Sequence, residues 1–546
     1  MKPPRAPART ILLCTVSCLA ALLLLSGCHG GDTSRALARE TSPARGGTAV
    51  LGSISDVDSW NELCSQQTFA NDLLRRIFLR LADPAGDSRD HPPSFEPSLA
   101  ESWRFSEDGS SLVFRLREAS WSDGVPITAA DVRFTWKAET SQEVAWTGAS
   151  SKEHIRDVEV LDPRTVAFHF DRSYPDQLAD AVDGPVLPEH AFGAVPLSVW
   201  RTHDWSQVRI ASGPFVLERH SPGEEIVLAR NPRYFREGRP LLDRVVVRVI
   251  PDAGALLTQL LAGSVDYMEG IAPKDAGRVA AQAGVRVIPF DEPKYDYIGW
   301  NGARPPLDDP RVRRALTLAI NREAIVEGLL YGFGRVSRGP VLSFWWGADR
   351  ALEPWPYAPD EARALLEGAG FAAGRDGILA RGGKPLALEL TTNLGNRVRE
   401  SVLVMVQEQL ARVGVRITPR PLEMKTFRQL NAAGKYDAYL GGWRFSGKID
   451  LQSIFGSDAI PPHGNNVVFY RSPRTDALLR DLDLAAAWTE MVPILHEIQR
   501  TIREDAPYTF LYETQRIAAA SPRLEGVAID VPADPLRGIE SWWIAP

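Results

Sequence analysis

Between Leu99 and Lys137 the chain reverses direction twice, and no other stretch limits the possible folds as strongly. It reads LAESWRFSEDGSSLVFRLREASWSDGVPITAADVRFTWK. Asp108-Gly109 and Asp123-Gly124 are turn signals, because glycine accepts the positive φ that such turns need. Between them Leu112, Phe114 and Leu116 alternate with Val113, Arg115 and Arg117, which predicts a strand with one largely polar face. After the second turn Thr128 stands as an N-cap with Asp131 three residues on. This is a capping-box arrangement ahead of a helix carrying Val132, Phe134 and Trp136. The stretch is a hairpin followed by a helix, a scaffold without chemistry of its own.

The order of these parts carries more information than each part. LAESW, an S-x-DG turn, a strand ending in LR, W-x-DG and TA-x-DV together resemble the signature of bacterial extracellular solute-binding proteins of family 5. Those are the peptide-, nickel- and oligosaccharide-binding components of ABC importers. Two later stretches resemble the same family. In ASGPFVLERHSPGEEIVLARNPRYF the Ser212-Gly213-Pro214 and Asn231-Pro232 turns bracket a hairpin. In YIGWNGARPPLDDPRVRRALTLAINREAIVEGLLYGFGRVSRGP, Asp309 caps a helix that begins at Pro310, and Asn321 caps the next.

The resemblance covers nearly all of the chain from Gly46 onward. It implies an α/β, two-lobed periplasmic-binding-protein-like fold of the large type, with an extra domain and closure by a hinge. The divisions expected are a discontinuous first lobe (48–95, 211–291 and 506–546), an extra domain (96–210) and a second lobe (292–505). The implied function is an extracytoplasmic substrate-binding component of an ABC importer, capturing a peptide-like or oligosaccharide-like solute and delivering it to a membrane permease. The resemblance implies a monomer with no enzyme activity, no cofactor and no metal. Two other classes remain open: a receptor that presents its ligand to a membrane sensor, and a lipoprotein hydrolase.

The coarse pattern of the rest agrees with an α/β reading. VVVRVI, VRVIPF and KYDAYLGGWRF read as strands, and LALELTTNLGNRVRESVLVMVQEQLARVGVRITPR reads as a β-α-β unit. QQTFANDLLRRIFLRL has Phe69, Leu73, Leu74, Ile77 and Leu81 at helical spacing, and YTFLYETQRIAAA is expected to return to the first lobe.

Residues 1–27 combine Lys2, Arg5 and Arg9 with the apolar run ILLCTVSCLAALLLLSG, the anatomy of a secretory signal peptide. The run ends Leu25-Ser26-Gly27-Cys28, which resembles the lipobox of bacterial lipoproteins and implies lipidation of Cys28. The expected location is outside the cytoplasm, tethered to a membrane by several acyl chains. Residues 28–47 are polar and rich in small residues, and read as a flexible tether. Cys14 and Cys18 fall inside the apolar run, so Cys64 is the one ordinary thiol of the expected mature body and no intrachain disulfide is available to it.

A net charge of −7 over 546 residues disfavours nucleic-acid binding, which needs clustered Lys and Arg. There is no G-x-S-x-G, HExxH or Walker loop, and the nine histidines are scattered. The fifteen tryptophans are more informative. Trp60, Trp300, the Trp345-Trp346 pair and Trp443 lie near loops or strand ends, where indoles can stack on sugar rings or peptide planes. Asn393 and Asn396 sit in a loop at the C-terminal end of a strand, where open α/β sheets place ligands. Asn301 adjoins Trp300.

In peptide-binding members of the family, a GW strand end is followed three residues later by an aspartate that holds the peptide ammonium. That position here is Ser446. With a one-residue insertion Asp450 aligns with a second family aspartate, and Arg444 and Lys448 lie close by. An unpaired buried ammonium costs about 3–5 kcal/mol, more than a hundredfold in affinity. A neutral or anionic solute is therefore expected over a free-amine dipeptide.

Overall fold

Two strands are far longer than the others, and they hold the architecture together. Arg286–Trp300 has 15 residues and Tyr508–Ala520 has 13. They pair antiparallel along most of their length, from Arg286 opposite Ala520 to Gly299 opposite Tyr508. At one end Tyr508–Ala520 also pairs with Tyr267–Glu269, which leads through Thr48–Ser53 and Arg244–Val249 to a hairpin of Glu225–Arg230 and Phe215–Ser221. At the other end Arg286–Trp300 pairs with Ala438–Arg444, which adjoins Ala387–Asn393 and Arg416–Leu422. The result is one eleven-stranded sheet with a lobe at each end and two strands crossing between them. The computed structural model describes residues 43–86, 89–374, 376–445, 450–530 and 534–546.

The pairing of the crossing strands is interrupted between Asp291 and Tyr295, where the register shifts. Pro293 falls in this irregularity, where its missing N–H costs no ladder bond. The sequence pattern predicts a strand over VRVIPF, which already contains Pro289. The structure carries that strand on through Pro293 to Trp300. Likewise, Tyr508–Ala520 starts in the second lobe and finishes in the first, so it is a crossing element as well as a returning one.

The opening hairpin and helix form as the pattern predicts. Ser111–Leu116 buries Leu112, Phe114 and Leu116 completely. Thr128 caps Ala129–Glu139, its backbone N–H donating to Asp131 Oδ2 at 2.8 Å and its hydroxyl accepting from Ala130. These elements belong to a separate four-stranded antiparallel sheet, Ala100–Phe105, Ser111–Leu116, Thr165–Phe170 and Ile155–Asp162. Its apolar residues run continuously into the core of the first lobe.

The helix expected from Phe69 through Leu81 is shorter, ending at Leu74. The Ser212–Phe215 turn takes the backbone carbonyls of Arg76 and Ile77, so they cannot continue a helical ladder. Gly213 makes this docking possible, since a Cβ there would meet the Arg76 carbonyl at 2.5 Å.

In the second lobe both sheet faces are covered. One face packs Ile298, Trp300 and Leu440 against Pro310–Leu318, Arg322–Leu330 and Arg397–Arg412. The other packs Tyr295, Tyr297, Tyr439, Tyr508 and Phe510 against Trp345, Phe455 and the helix Trp488–Asp505. The lobes also meet at exposed ion pairs away from the crossing strands. Arg172, just after the four-stranded sheet, bonds Asp483 at 2.9 Å, and Arg350 bonds Asp90 at 2.8 Å. No helix among the described residues is long and apolar enough to cross a membrane.

Candidate functional site

Ala387–Asn393, Arg416–Leu422 and Ala438–Arg444 are parallel, so Asn393, Leu422 and Arg444 end at the same edge. The crossing strand runs the other way and brings its irregular segment to that edge, with Lys294 directly opposite Arg444. A band of polar side chains results, drawn from four strands and one helix.

Its centre is Asp296, which is 2% exposed. Arg399, from the first turn of Arg397–Arg412, donates to it through Nε at 3.1 Å and Nη2 at 2.8 Å. Tyr512 donates its hydroxyl at 3.2 Å, and the Lys294 ammonium lies 3.3 Å away. Burial opposes ionisation of Asp296, but Lys294 and the Arg399 hydrogen bonds outweigh it and hold the carboxyl below its usual range. Gly442 makes room for this pair, because a Cβ there would collide with Asp296 Oδ1 and Arg399 Nη2.

Next along the strand, Glu292 accepts from Thr514 Oγ1 at 2.5 Å and pairs with Arg444. Burial opposes its ionisation too, and Lys294 and Arg444 again reverse the direction. Asp291 pairs with Arg335.

The opposite face of the same strands is aromatic. Tyr297 stacks on Tyr508 with centroids 3.8 Å apart, and Trp443 lies parallel to Tyr297 and donates to Tyr508 Oη at 3.3 Å. Trp345 meets Phe445 edge-on at 5.4 Å, and Phe445 covers Tyr295. Trp346 is half-buried beside this cluster.

The residues singled out from sequence divide into groups. Asn393, Asn396, Trp443 and Arg444 come together at this edge. Asn393 Oδ1 accepts from Arg399 Nη1 at 2.8 Å, and Asn396 caps the helix by accepting from the Arg399 backbone N–H at 3.1 Å. Trp345 and Trp346 belong to the aromatic side. Asp450 is exposed and accepts from the Ser453 backbone N–H at 3.2 Å.

Three others are placed inside the lobes and offer no surface to a solute, which corrects the expectation for them. Trp60 is buried in the first lobe, donating to His220 Nδ1 at 3.0 Å while His220 Nε2 donates to Asp56. Trp300 is fully buried and donates to Thr509 Oγ1 at 2.9 Å. Asn301 holds the Gly434 and Tyr436 carbonyls at 3.1 and 2.8 Å. Each has its polar group satisfied within the fold. Ser446, Lys448 and Cys28 lie outside the described residues.

Glu292, Lys294, Asp296 and Arg399 are not singled out by the sequence pattern. The signal for the first three was the i, i+2 alternation of charge in DEPKYDY, which only becomes a signal once the segment is known to be a strand. Arg399 had no local signal. Among the described residues no group of three His, Cys, Asp or Glu side chains could hold a metal ion.

The comparisons with known proteins converge. The model for bacterial extracellular solute-binding proteins, family 5 Middle, matches residues 94–456. The oligopeptide-binding protein AppA of Bacillus subtilis is 31% identical over 547 residues, covering 98% of this chain and 99% of AppA. The structure of AppA in complex with a nonapeptide matches with a TM-score of 0.73 over 92% of this chain and 100% of that one. Heme-binding protein A of Haemophilus influenzae is 23% identical over 94% of this chain and 96% of its own length. The ABC transporter substrate-binding protein CtaP of Listeria monocytogenes, at 22% identity, shares the fold with a TM-score of 0.80 over 92% of this chain and 99% of that one. With a family model spanning more than half of its length and AppA similar from end to end, the chain belongs to the bacterial extracellular solute-binding proteins of family 5.

Proposed function

We propose that this protein is the extracytoplasmic substrate-binding component of an ABC importer. It captures a peptide-like or oligosaccharide-like solute between its two lobes and hands it, unreacted, to a membrane permease. The observation that carries this reading is the pair of crossing strands with a polar band at their irregular point. A solute held there touches second-lobe groups beside the crossing strands, and closure of the first lobe over it adds contacts that exist only in the shut form, so its binding free energy favours that form over the open one. The divisions are a first lobe of 48–95, 211–291 and 506–546, an extra domain of 96–210 and a second lobe of 292–505. Cys28 carries the lipid anchor, and the protein works as a monomer outside the cytoplasm.

The preferred solute is neutral or anionic at this edge. Asp291, Glu292 and Asp296 each already hold a cation of the chain, which leaves no described carboxylate of that segment free for a ligand ammonium. Ser446 replaces the aspartate expected there, and Ser446→Asp should weaken the natural solute.

The test is thermal and calorimetric titration with peptide and oligosaccharide sets, followed by chromatography of the mixture. A true ligand at a hundred times its Kd raises stability by about 2.7 kcal/mol and is recovered unchanged. Steady conversion of that ligand would replace the binding reading with catalysis.

A further inference from the structure

Three arginines from three helices of the second lobe gather with their charges in range of one another. Arg314 stands on Pro310–Leu318, Arg322 opens Arg322–Leu330, and Arg503 lies in the last turn of Trp488–Asp505. The Arg503 guanidinium sits 3.8 Å from the centre of the Trp355 ring, and the Arg314 guanidinium sits 5.3 Å from it. Trp355 is fixed in turn by donating its indole N–H to the Arg503 carbonyl at 3.2 Å. Arg322 lies deeper, at 2% exposure, with one donor on the Phe510 carbonyl at 3.4 Å. Phe510 stands opposite Tyr297 on the crossing strands, beyond the irregular segment that carries the polar band.

Cations this close repel, and a fold ordinarily pairs each of them with an acid. Here the acids are engaged elsewhere. Among the described residues no carboxylate forms an ion pair with any of the three: Glu504 turns to Arg474 at 3.6 Å, Asp505 accepts from Tyr470, and Glu323 is exposed. Four guanidinium donors are buried without a partner, the Nε of Arg314 and of Arg503 and both Nε and Nη2 of Arg322. A buried donor left unmet is costly, and more so when it carries charge. Burial chiefly pulls Arg322 down to about 10, while Glu323 resists and the Arg503 charge adds to it. Arg503 is lowered too, by burial and then by Arg314, against Glu504. Arginine keeps its proton through such shifts. Water can meet a donor but cannot neutralise the charge, so relief has to come from an anion. Arg314, Arg503 and Trp355 are half-buried, which leaves the cluster a way to solvent.

We propose that Arg314, Arg322 and Arg503 form a second binding site, for a phosphate-class oxyanion, on the second lobe. A tetrahedral oxyanion offers acceptors in several directions and more than one charge, which suits guanidinium forks arriving from separate helices. Bound there, it ties these helices to the start of the crossing strand Tyr508–Ala520. The site is separate from the solute edge, and the inference does not rest on the importer reading.

The probes are inorganic phosphate, sulfate and glycerol phosphate. Each is titrated into the intact chain by calorimetry and thermal unfolding, with sodium chloride holding ionic strength constant. Phosphate and sulfate should bind once per chain and raise Tm saturably. Arg314→Gln and Arg503→Gln should each weaken phosphate about tenfold or more, the scale of one lost charge-assisted hydrogen bond. Arg503→Lys keeps the charge and should retain more affinity than Arg503→Gln, which separates recognition from a general loss of folding. Glycerol phosphate binding as tightly as phosphate identifies a phosphate monoester as the occupant, and its exclusion identifies the free ion. No binding, a Tm rise no larger than chloride produces, or a phosphate affinity unchanged in either glutamine variant overturns the site. None of these results touches solute capture between the lobes, so the two readings fail separately.

Discussion

Asp296 and Glu513 are both buried carboxyl groups on the crossing strands, 2% and 1% exposed, and they lie on opposite faces of one sheet. Asp296 stands opposite Tyr512 on the charged face, and Glu513 stands opposite Tyr295 on the aromatic face. Burial raises both. At Asp296 the cations Lys294 and Arg399 overcome it, and the carboxyl ionises more readily than usual. At Glu513 the Ser343 hydroxyl and backbone N–H, at 2.6 and 2.9 Å, offset only part of the burial, and the group stays shifted upward. Depth alone therefore does not set the state of a buried acid. The charge that tertiary structure delivers to it does.

The most forceful way to break this comparison is to remove the cation. Arg399→Ala takes two of the hydrogen bonds from buried Asp296 and leaves it with Lys294 and Tyr512, and should destabilise the protein by about 3 kcal/mol in urea unfolding. Converting both partners, Arg399→Met with Asp296→Leu, should recover most of that loss. A single variant that costs less than about 1 kcal/mol would show that water reaches Asp296 and that the two faces are not so different.

Gly442→Ala attacks the same pair sterically. Its Cβ must displace Asp296 or Arg399, at a cost of about 1–3 kcal/mol. Because both variants act through one contact, the cost of Gly442→Ala should shrink when Arg399 is already alanine.

Acid and base titrations sharpen the comparison further. The Asp296 contribution is fully present above its unfolded value of about 3.9 and is lost as pH falls through its lower folded value. The Glu513 contribution runs the other way: it is present below about 4.3 and is lost as pH rises through its higher folded value. Urea midpoints measured across pH should therefore flatten on the acid side in Asp296→Asn and on the rising side in Glu513→Gln. If both variants change the same limb, the opposite shifts are refuted.

The smallest effect belongs to the exposed pairs between the lobes. Arg172→Ala removes the contact with Asp483, both partners being more than a third exposed, and should change stability by less than about 1 kcal/mol. Added salt should erase even that. A larger, salt-resistant loss would mean that this contact, and not the crossing strands, holds the lobes together.

Features that depend on neighbours in the chain were legible from residues alone. The Thr128–Asp131 capping box spans one turn, and the burial of Leu112, Phe114 and Leu116 follows from strand alternation. The ordered motifs from Leu99 to Lys137 pointed to the family, and so to the two-lobed architecture. At the site, the Asn393–Asn396 loop and the Trp443–Arg444 strand end were legible for the same reason, since each sits where a strand stops.

Tertiary structure decided what depends on partners far along the chain. The helix from Thr68 stops at Leu74 because a turn at Ser212–Phe215, distant in sequence, takes its next carbonyls. Trp60, Trp300 and Asn301 carry the chemistry of ligand contacts, yet His220, Thr509 and the Gly434–Tyr436 backbone satisfy them inside the lobes. Asp296 and Arg399 lie 103 residues apart, and nothing local distinguishes either from an ordinary surface charge. Their pairing exists only because parallel strands end at one edge while the crossing strand arrives there from the opposite direction. Alternation and capping are written in residues a few positions apart, whereas the charge balance of a buried band is a sum over strands that the chain brings together only when it folds.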